Sequence, residues 1–130
     1  MGLDQYAYKT KLKPSKPVDF QDEVYMANEN NENSSEEFMY WRKHPNLHGF
    51  MEQLYREKGG ESDFNCRPVE LTQEDIDRLA ASIVDQELPE TRGFFFGESD
   101  GSEYNQDLDF CKQATEAIKE GYTVFYDSWW

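Results

Sequence analysis

Residues 3–12, LDQYAYKTKL, alternate between two sets of side chains, as a β-strand with two different faces does. One face would carry Leu3, Gln5, Ala7 and Lys9, and the other Asp4, Tyr6, Tyr8 and Thr10. The prolines in KPSKP, residues 13–17, end the alternation because proline has no backbone N–H to donate to a neighbouring strand. The sequence therefore predicts a strand near the start of the chain.

Four more segments are predicted to be strands. EFMYWRK (37–43), FNCRPVEL (64–71) and YTVFYDSWW (122–130) are three of them, and Pro68 places the second at a sheet edge. GFFFG (93–97) is apolar at each of its three central positions, which is typical of a central strand covered on both faces. In the alternative interpretation, one of these phenylalanines faces a ligand, and the glycine after them permits close approach of the backbone.

Three segments are predicted to be helices. HPNLHGFMEQLYREKGG (44–60) and QEDIDRLAASIVDQ (73–86) repeat apolar residues three and four positions apart, and a third helix is expected over residues 102–120. Pro45 in a first turn and Thr72 as a cap mark two helix starts. Because the early strands have no helix between them, we expect an α+β fold with three helices packed on one mixed or antiparallel sheet of about five strands. A small parallel α/β sheet is the alternative.

Length and composition set the scale of this fold. A chain of 130 residues predicts a single domain over residues 1–130. Only 37% of the residues are hydrophobic but 15% are aromatic, so large rings are expected to supply much of the buried core. Residues 27–35, ANENNENSS, are polar and low in complexity, which predicts a mobile loop within the domain.

The charge of the chain is strongly negative and unevenly distributed. A formal net charge of −14 argues against direct binding of nucleic acid through a basic surface. The acidic residues are concentrated in residues 18–37, 61–91 and 97–130. Trp130 would either close the sheet or anchor a partner, since tryptophan is favoured in binding interfaces. The residues predicted to form an interface are Asp22, Glu23, Glu74, Asp75, Asp107, Asp109 and Trp130.

YWRKHPNLHG, residues 40–49, places two cations just before a predicted helix. The N–H groups and dipole at a helix N-terminus favour an anion, and Arg42 and Lys43 would add charge-assisted contacts. His48 lies one turn beyond His44, so the two imidazoles would share a face if His44 were helical. The predicted ligand-binding residues are Tyr40, Trp41, Arg42, Lys43, His48 and Phe95. In the competing interpretation these side chains pack in the core or pair with neighbouring acids.

No complete catalytic or metal-binding signature is found in the sequence. Cys66 and Cys111 lack C-x-x-C spacing, and no H-E-x-x-H, G-x-S-x-G, G-x-G-x-x-G or P-loop pattern is present. The sequence therefore assigns no catalytic residue, no metal and no cofactor. Enzymatic activity has no support in the sequence. No apolar run approaches the ~20 residues that span a bilayer, so we expect a cytoplasmic protein with no membrane partner.

The chain resembles a family of small uncharacterised proteins encoded in tailed-phage and prophage genomes. The resemblance rests on MGLDQY (1–6), YWRKHPNLHG (40–49), GFFFG (93–97) and YDSWW (126–130), which occur in this order along nearly the whole chain. His44 and Pro45 depart from the family pattern, where small or polar residues are expected, whereas His48 fits it better. The resemblance implies a phage-associated cytoplasmic protein and brings no activity with it.

Two functions from different classes follow from these observations. In the first, an acidic, non-enzymatic protein binds and modulates or inhibits a host or defence protein with a basic surface. Its acidic residues either imitate nucleic acid or steer fast association with the cationic partner. In the second, the aromatic and cationic side chains of residues 40–48 bind a small nucleotide-like anion, with weak hydrolase or transferase activity as an addition.

Overall fold

An antiparallel sheet with helices packed on it forms the fold, and the α+β class is confirmed. The computed structural model describes residues 2–93 and 96–130. The elements are β1 (Asp4–Thr10), α1 (Gln21–Glu29), β2 (Glu36–Arg42), α2 (Pro45–Glu57), β3 (Val69–Leu71), α3 (Gln73–Val84), α4 (Tyr104–Lys119) and β4 (Thr123–Trp129). The part of the chain that is described thus has four strands and four helices, against about five and three predicted.

The sheet has the strand order β2-β1-β4-β3, and each neighbouring pair is antiparallel. The alternating stretch around Ala7 is therefore a central strand, paired with Met39 of β2 on one side and with Tyr126 of β4 on the other. A bulge after Ala7 shifts its register against β2. The predicted parallel alternative is wrong, because no pair among the described strands runs in the same direction.

The helix-facing side of the sheet carries its buried core residues. Gln5 and Ala7 of β1 lie opposite Ser128 and Tyr126 of β4, and all four side chains are buried. Apolar stripes of the helices cover this face, which explains the periodicity seen in their sequences. The stripes consist of Leu47, Met51 and Leu54 from α2, Ile76, Leu79 and Ile83 from α3, and Phe110, Ala114 and Ala117 from α4.

The opposite face of the sheet carries a row of aromatic rings. Tyr40 lies 5.3 Å from Tyr6 between ring centroids, and Tyr8 stacks on Phe125 at 5.1 Å. Phe20, which directly precedes α1, packs edge-on against Phe125 at 5.4 Å. The expectation that rings dominate the interior is confirmed, because Tyr55, Tyr126, Phe20, Phe64, Phe110 and Phe125 are the largest fully buried side chains.

Helix α1 has no counterpart among the predicted elements. Ala27 is buried against the fold and the helix continues to Glu29, so the predicted loop over residues 27–35 begins at Asn30 instead. The prediction failed because α1 has a weak apolar stripe and a sequence dominated by polar residues. Among the described helices, none combines the length and the apolar character that crossing a membrane requires.

The predicted strand at residues 93–97 is not supported where the structure describes it. Phe94 and Phe95 lie outside the described residues. Phe96 is buried but is not in a strand, and its N–H donates to the Gly93 carbonyl at 3.1 Å. The predicted strand over residues 64–71 is also shorter than expected, because only its last three residues pair with β4.

Candidate functional site

Two buried histidines stand at the start of α2, and each lies in a different polar or aromatic setting. His44 is the residue that precedes the helix, with φ −110° and ψ 74°, so it is not helical. The rings of His44 and His48 are 2% and 1% exposed, and they point into different parts of the fold. The condition under which the two imidazoles would share a helix face is therefore not met.

The ring of His48 forms the floor of a cavity of about 600 Å³, which we call the His48 pocket. Phe64 stacks on the imidazole at 5.0 Å between centroids, and Phe96 and Trp130 approach it edge-on at 5.1 and 6.5 Å. The described residues that line the pocket are Gly2, Asp4, His48, Glu52, Arg56, Asp63, Phe64, Arg92, Gly93, Phe96, Trp129 and Trp130. The pocket thus has aromatic walls and a charged rim.

Burial keeps the floor of the His48 pocket uncharged. It lowers the pKa of His48 to about 4, since a charged imidazole would lose its hydration among these rings. The Nδ1 atom of His48 lies 2.8 Å from the hydroxyl oxygen of Tyr126. Burial also raises the pKa of Tyr126, so its hydroxyl stays protonated. At neutral pH the pocket therefore offers a neutral imidazole rather than a cation.

Trp130 is held in the pocket wall by three hydrogen bonds to the loop before β3. Its backbone N–H donates to Asn65 Oδ1 at 3.0 Å, and Asn65 Nδ2 donates back to its carbonyl at 2.7 Å. The indole Nε1 donates to the carbonyl of Phe64 at 2.7 Å. Trp130 is nevertheless 40% exposed, and Trp129 is 64% exposed. A fixed, accessible indole face is typical of a binding surface.

The charged groups at the rim of the pocket are largely paired with one another. Arg56 donates to Glu52 at 3.1 Å, and Arg92 donates to Glu90 at 2.8 Å. Asp63 makes no ion pair with any residue that the structure describes. The aromatic walls therefore stand beside an exposed carboxylate that pairs with none of the described basic side chains.

His44 lies in a polar cluster on the other side of α2. Its Nε2 is 2.8 Å from Asp107 Oδ2, its Nδ1 is 2.7 Å from Ser99 Oγ, and Glu103 Oε1 is 3.8 Å from the same Nδ1. Asp107 Oδ1 accepts a hydrogen bond from Trp41 Nε1 at 2.9 Å. We call Trp41, His44, Ser99, Glu103 and Asp107 the His44 cluster. It borders a cavity of about 190 Å³.

The structure separates the predicted ligand-binding residues. Arg42 and Tyr40 project from the aromatic face of the sheet and both bond Asp4, at 3.2 and 2.6 Å. Trp41 points to the opposite face and is buried. Lys43 is exposed with φ 57°. Phe95 lies outside the described residues, and of the other five predicted ligand-binding residues His48 alone lines the His48 pocket.

The predicted interface acids do not form one surface. Asp107 is buried in the His44 cluster, and Asp75 is buried as the capping-box residue of α3, where it bonds Thr72 and Lys58. Neither carboxylate is available to a partner. The remaining four lie on separate elements: Asp22 and Glu23 open α1, next to the aromatic face, and Glu74 and Asp109 are exposed on α3 and α4.

Phe64 and Ser99 are two of the site residues that the sequence did not indicate. Their roles depend on contacts with residues 16 and 55 positions away, which no local pattern specifies. Within residues 2–93 and 96–130, no group of three or more metal-ligating side chains could hold an ion.

Comparison of the chain with protein-family models, with curated proteins and with solved structures found no match in any of the three. The resemblance to phage and prophage proteins stays a prediction.

Proposed function

We propose that the protein is a binding module that captures a lysine or arginine side chain of a partner protein in the His48 pocket. The observation that carries the proposal is the combination of aromatic walls with the carboxylate of Asp63, which no described basic side chain pairs with, over an uncharged His48 floor. The partner is thus identified by a cationic side chain that inserts into this cavity.

Aromatic faces and a carboxylate suit a cation for separate reasons. A ring attracts a cation through its quadrupole, by about 0.5–2 kcal/mol depending on desolvation, and tryptophan is the strongest of the aromatic residues in this role. The long aliphatic stem of a lysine or arginine side chain would pack against the indole of Trp130, which is 40% exposed and lies beside the buried ring of Phe96. The net charge of −14 adds long-range attraction for a basic partner.

An anionic ligand is less well matched to this pocket. The guanidinium groups of Arg56 and Arg92 are each neutralised by a glutamate, and the imidazole of His48 carries no charge at neutral pH. A nucleotide phosphate would have to compete with Glu52 or Glu90 for the guanidinium groups, inside a strongly negative field. The nucleotide-like ligand predicted from residues 40–48 is for this reason the second choice.

The resemblance to phage proteins makes a basic host or defence protein the expected partner. The exposed acids, which lie on different helices, are proposed to speed the encounter from several directions rather than to imitate a nucleic acid with one face. A partner lysine or arginine in the His48 pocket would then supply the specific contact.

A titration with matched peptides tests the proposal. A short lysine-containing peptide and the same peptide with glutamine at each lysine would be added while the indole N–H signals of Trp129 and Trp130 are followed by NMR. We expect shifts with the lysine peptide alone, about tenfold weaker binding in Trp130→Ala, and weaker binding as salt rises from ~50 to ~500 mM. Asp63→Asn should weaken binding, whereas the exposed Asp109→Asn serves as the control.

Equal binding of both peptides would contradict the cation-binding function. Binding of ATP at the same indole signals, without any response to the lysine peptide, would instead support the nucleotide-like ligand.

A further inference from the structure

We propose that Ser99, His44 and Asp107 form a nucleophile, base and carboxylate site that hydrolyses small acyl esters. The three side chains are joined in that order by hydrogen bonds of 2.7 and 2.8 Å. A hydroxyl bonded to an imidazole, which is bonded in turn to a buried carboxylate, is the arrangement by which serine hydrolases activate their nucleophile. It is independent of the His48 pocket.

The carboxylate fixes the tautomer of His44 that a base needs. Asp107 Oδ2 accepts a hydrogen bond from Nε2–H, so the lone pair of Nδ1 faces the hydroxyl of Ser99. The ring is reversed relative to many serine hydrolases, but either nitrogen serves as a base once the other is held by a carboxylate. Glu103 Oε1, 3.8 Å from Nδ1, would further stabilise the imidazolium formed when Ser99 gives up its proton.

The nucleophile lies at the N-terminus of α2. The backbone N–H of Asn46 donates to Ser99 Oγ at 3.1 Å. This donor, together with the positive end of the helix dipole, stabilises partial negative charge on Ser99 Oγ as its proton passes to His44.

The position of His44 is fixed before any substrate arrives. Gln5 Oε1 accepts from the backbone N–H of His44 at 2.8 Å, and Gln5 Nε2 donates to its carbonyl at 3.0 Å. Trp41 Nε1–H donates to Asp107 Oδ1 at 2.9 Å, so Asp107 Oδ2 is left to accept from the imidazole. Both the base and its carboxylate are therefore held by groups that take no part in the reaction.

The surrounding space defines the class of substrate. Ser99 borders the cavity of about 190 Å³, where Ile83, Leu88 and Tyr104 provide apolar surface, and also a polar cleft of about 690 Å³ on its other side. A short aliphatic acyl group fits the smaller cavity, and the leaving alcohol would occupy the cleft. The reaction uses water as its only co-reactant.

The bond changes are those of ester hydrolysis. Ser99 Oγ attacks the carbonyl carbon while its proton passes to His44 Nδ1, and a bond forms between oxygen and the acyl carbon. The carbon–oxygen bond to the alcohol then breaks, and the alkoxide takes the proton from His44. Water attacks the acyl-serine, its proton again goes to His44, and the acid is released as Ser99 regains the proton.

Covalent labelling tests whether Ser99 is the nucleophile. The full-length protein would be treated with a fluorophosphonate probe, whose fluoride a reactive serine displaces, and the modified residue would be located by tandem mass spectrometry. We expect the label on Ser99, no label in Ser99→Ala, and unchanged labelling in Ser102→Ala, which removes an exposed serine three residues away. A label found only elsewhere, or no label at all, overturns the proposal.

Hydrolysis of p-nitrophenyl acetate provides the second measurement. Ser99→Ala should lower the rate by about 100-fold or more, while its thermal midpoint shows that it is folded. Folded Ser99→Ala with the wild-type rate would mean that the His44 cluster only holds the segment around Ser99 against α2.

Discussion

The His48 pocket and the His44 cluster begin one helical turn apart and enclose equally buried imidazoles, yet their surroundings are opposite. His48 has rings on several sides and, among the described residues, one polar partner, the hydroxyl of Tyr126. His44 has a carboxylate on one nitrogen and a hydroxyl on the other. Burial alone therefore does not define what a histidine does, because the groups that replace water decide whether its charged form is tolerated.

The largest expected effect comes from removing the centre of the His44 cluster. Asp107→Ala leaves two buried partners, Trp41 Nε1–H and His44 Nε2–H, without an acceptor. We expect the free energy of unfolding to fall by about 3 kcal/mol, measured by urea denaturation. Asp109→Ala, on the same helix but exposed, should change it by less than about 0.5 kcal/mol. Equal effects of the two substitutions would mean that the cluster is not a buried unit.

We expect the burial of His48 to make the free energy of unfolding depend on pH. The pKa of His48 is about 4 in the folded protein and near 6.5 in the unfolded chain, so the unfolded chain binds more protons between these values. Stability contributed by the neutral ring is thus complete above pH 6.5 and is lost as pH falls towards 4, by roughly 3 kcal/mol. His48→Gln should remove this slope in urea denaturation at a series of pH values.

Asp127 has the opposite effect on the pH dependence of stability. It must be replaced before the contribution of His48 can be measured clearly. Burial raises the pKa of its carboxyl to about 6, so the folded protein binds more protons between pH 3.8 and 6 and is stabilised as pH falls through that range. The comparison with His48→Gln is therefore best made in an Asp127→Asn background. If the free energy of unfolding still falls as pH is lowered after both substitutions, another titratable group is responsible for the loss of stability in acid.

The smallest expected effect concerns the hydrogen bond between the His48 ring and Tyr126. Tyr126→Phe removes the hydroxyl 2.8 Å from His48 Nδ1 and leaves that nitrogen buried among rings. We expect a loss of about 1 kcal/mol, followed by thermal or urea unfolding. Tyr25→Phe, in an exposed position on α1, is the matched control and should be neutral. No difference between the two would indicate that the Nδ1 atom reaches solvent.

Local patterns predicted most of the sheet and three helices, because alternation and 3.6-residue periodicity are set by neighbours in sequence. The central strand around Ala7 and the capped helix after Thr72 are examples, both found within a few residues of their predicted bounds. Helix α1 was missed because its stabilising contacts, such as that of Phe20 with Phe125, come from 105 positions away.

The candidate sites were predicted less well, for a related physical reason. The hydroxyl, imidazole and carboxylate of the His44 cluster come together only when α4 packs behind β2, and Asp107 lies 63 residues from His44. Asp107 was predicted to be a surface acid because carboxylates are rarely buried without a partner. Its partners, Trp41 and His44, are distant in sequence and no local pattern indicates them.

The two hydrogen bonds between Gln5 and the backbone of His44 also disfavour an incorrect register of β1 in the sheet. If β1 slipped by one position against its neighbours, this amide would move to the aromatic face and a tyrosine would enter the interior in its place. Both groups of His44 would then be left without partners, so the slipped sheet would be strongly penalised. A single polar side chain in a central strand thus helps to make one pairing of the sheet far more favourable than the next.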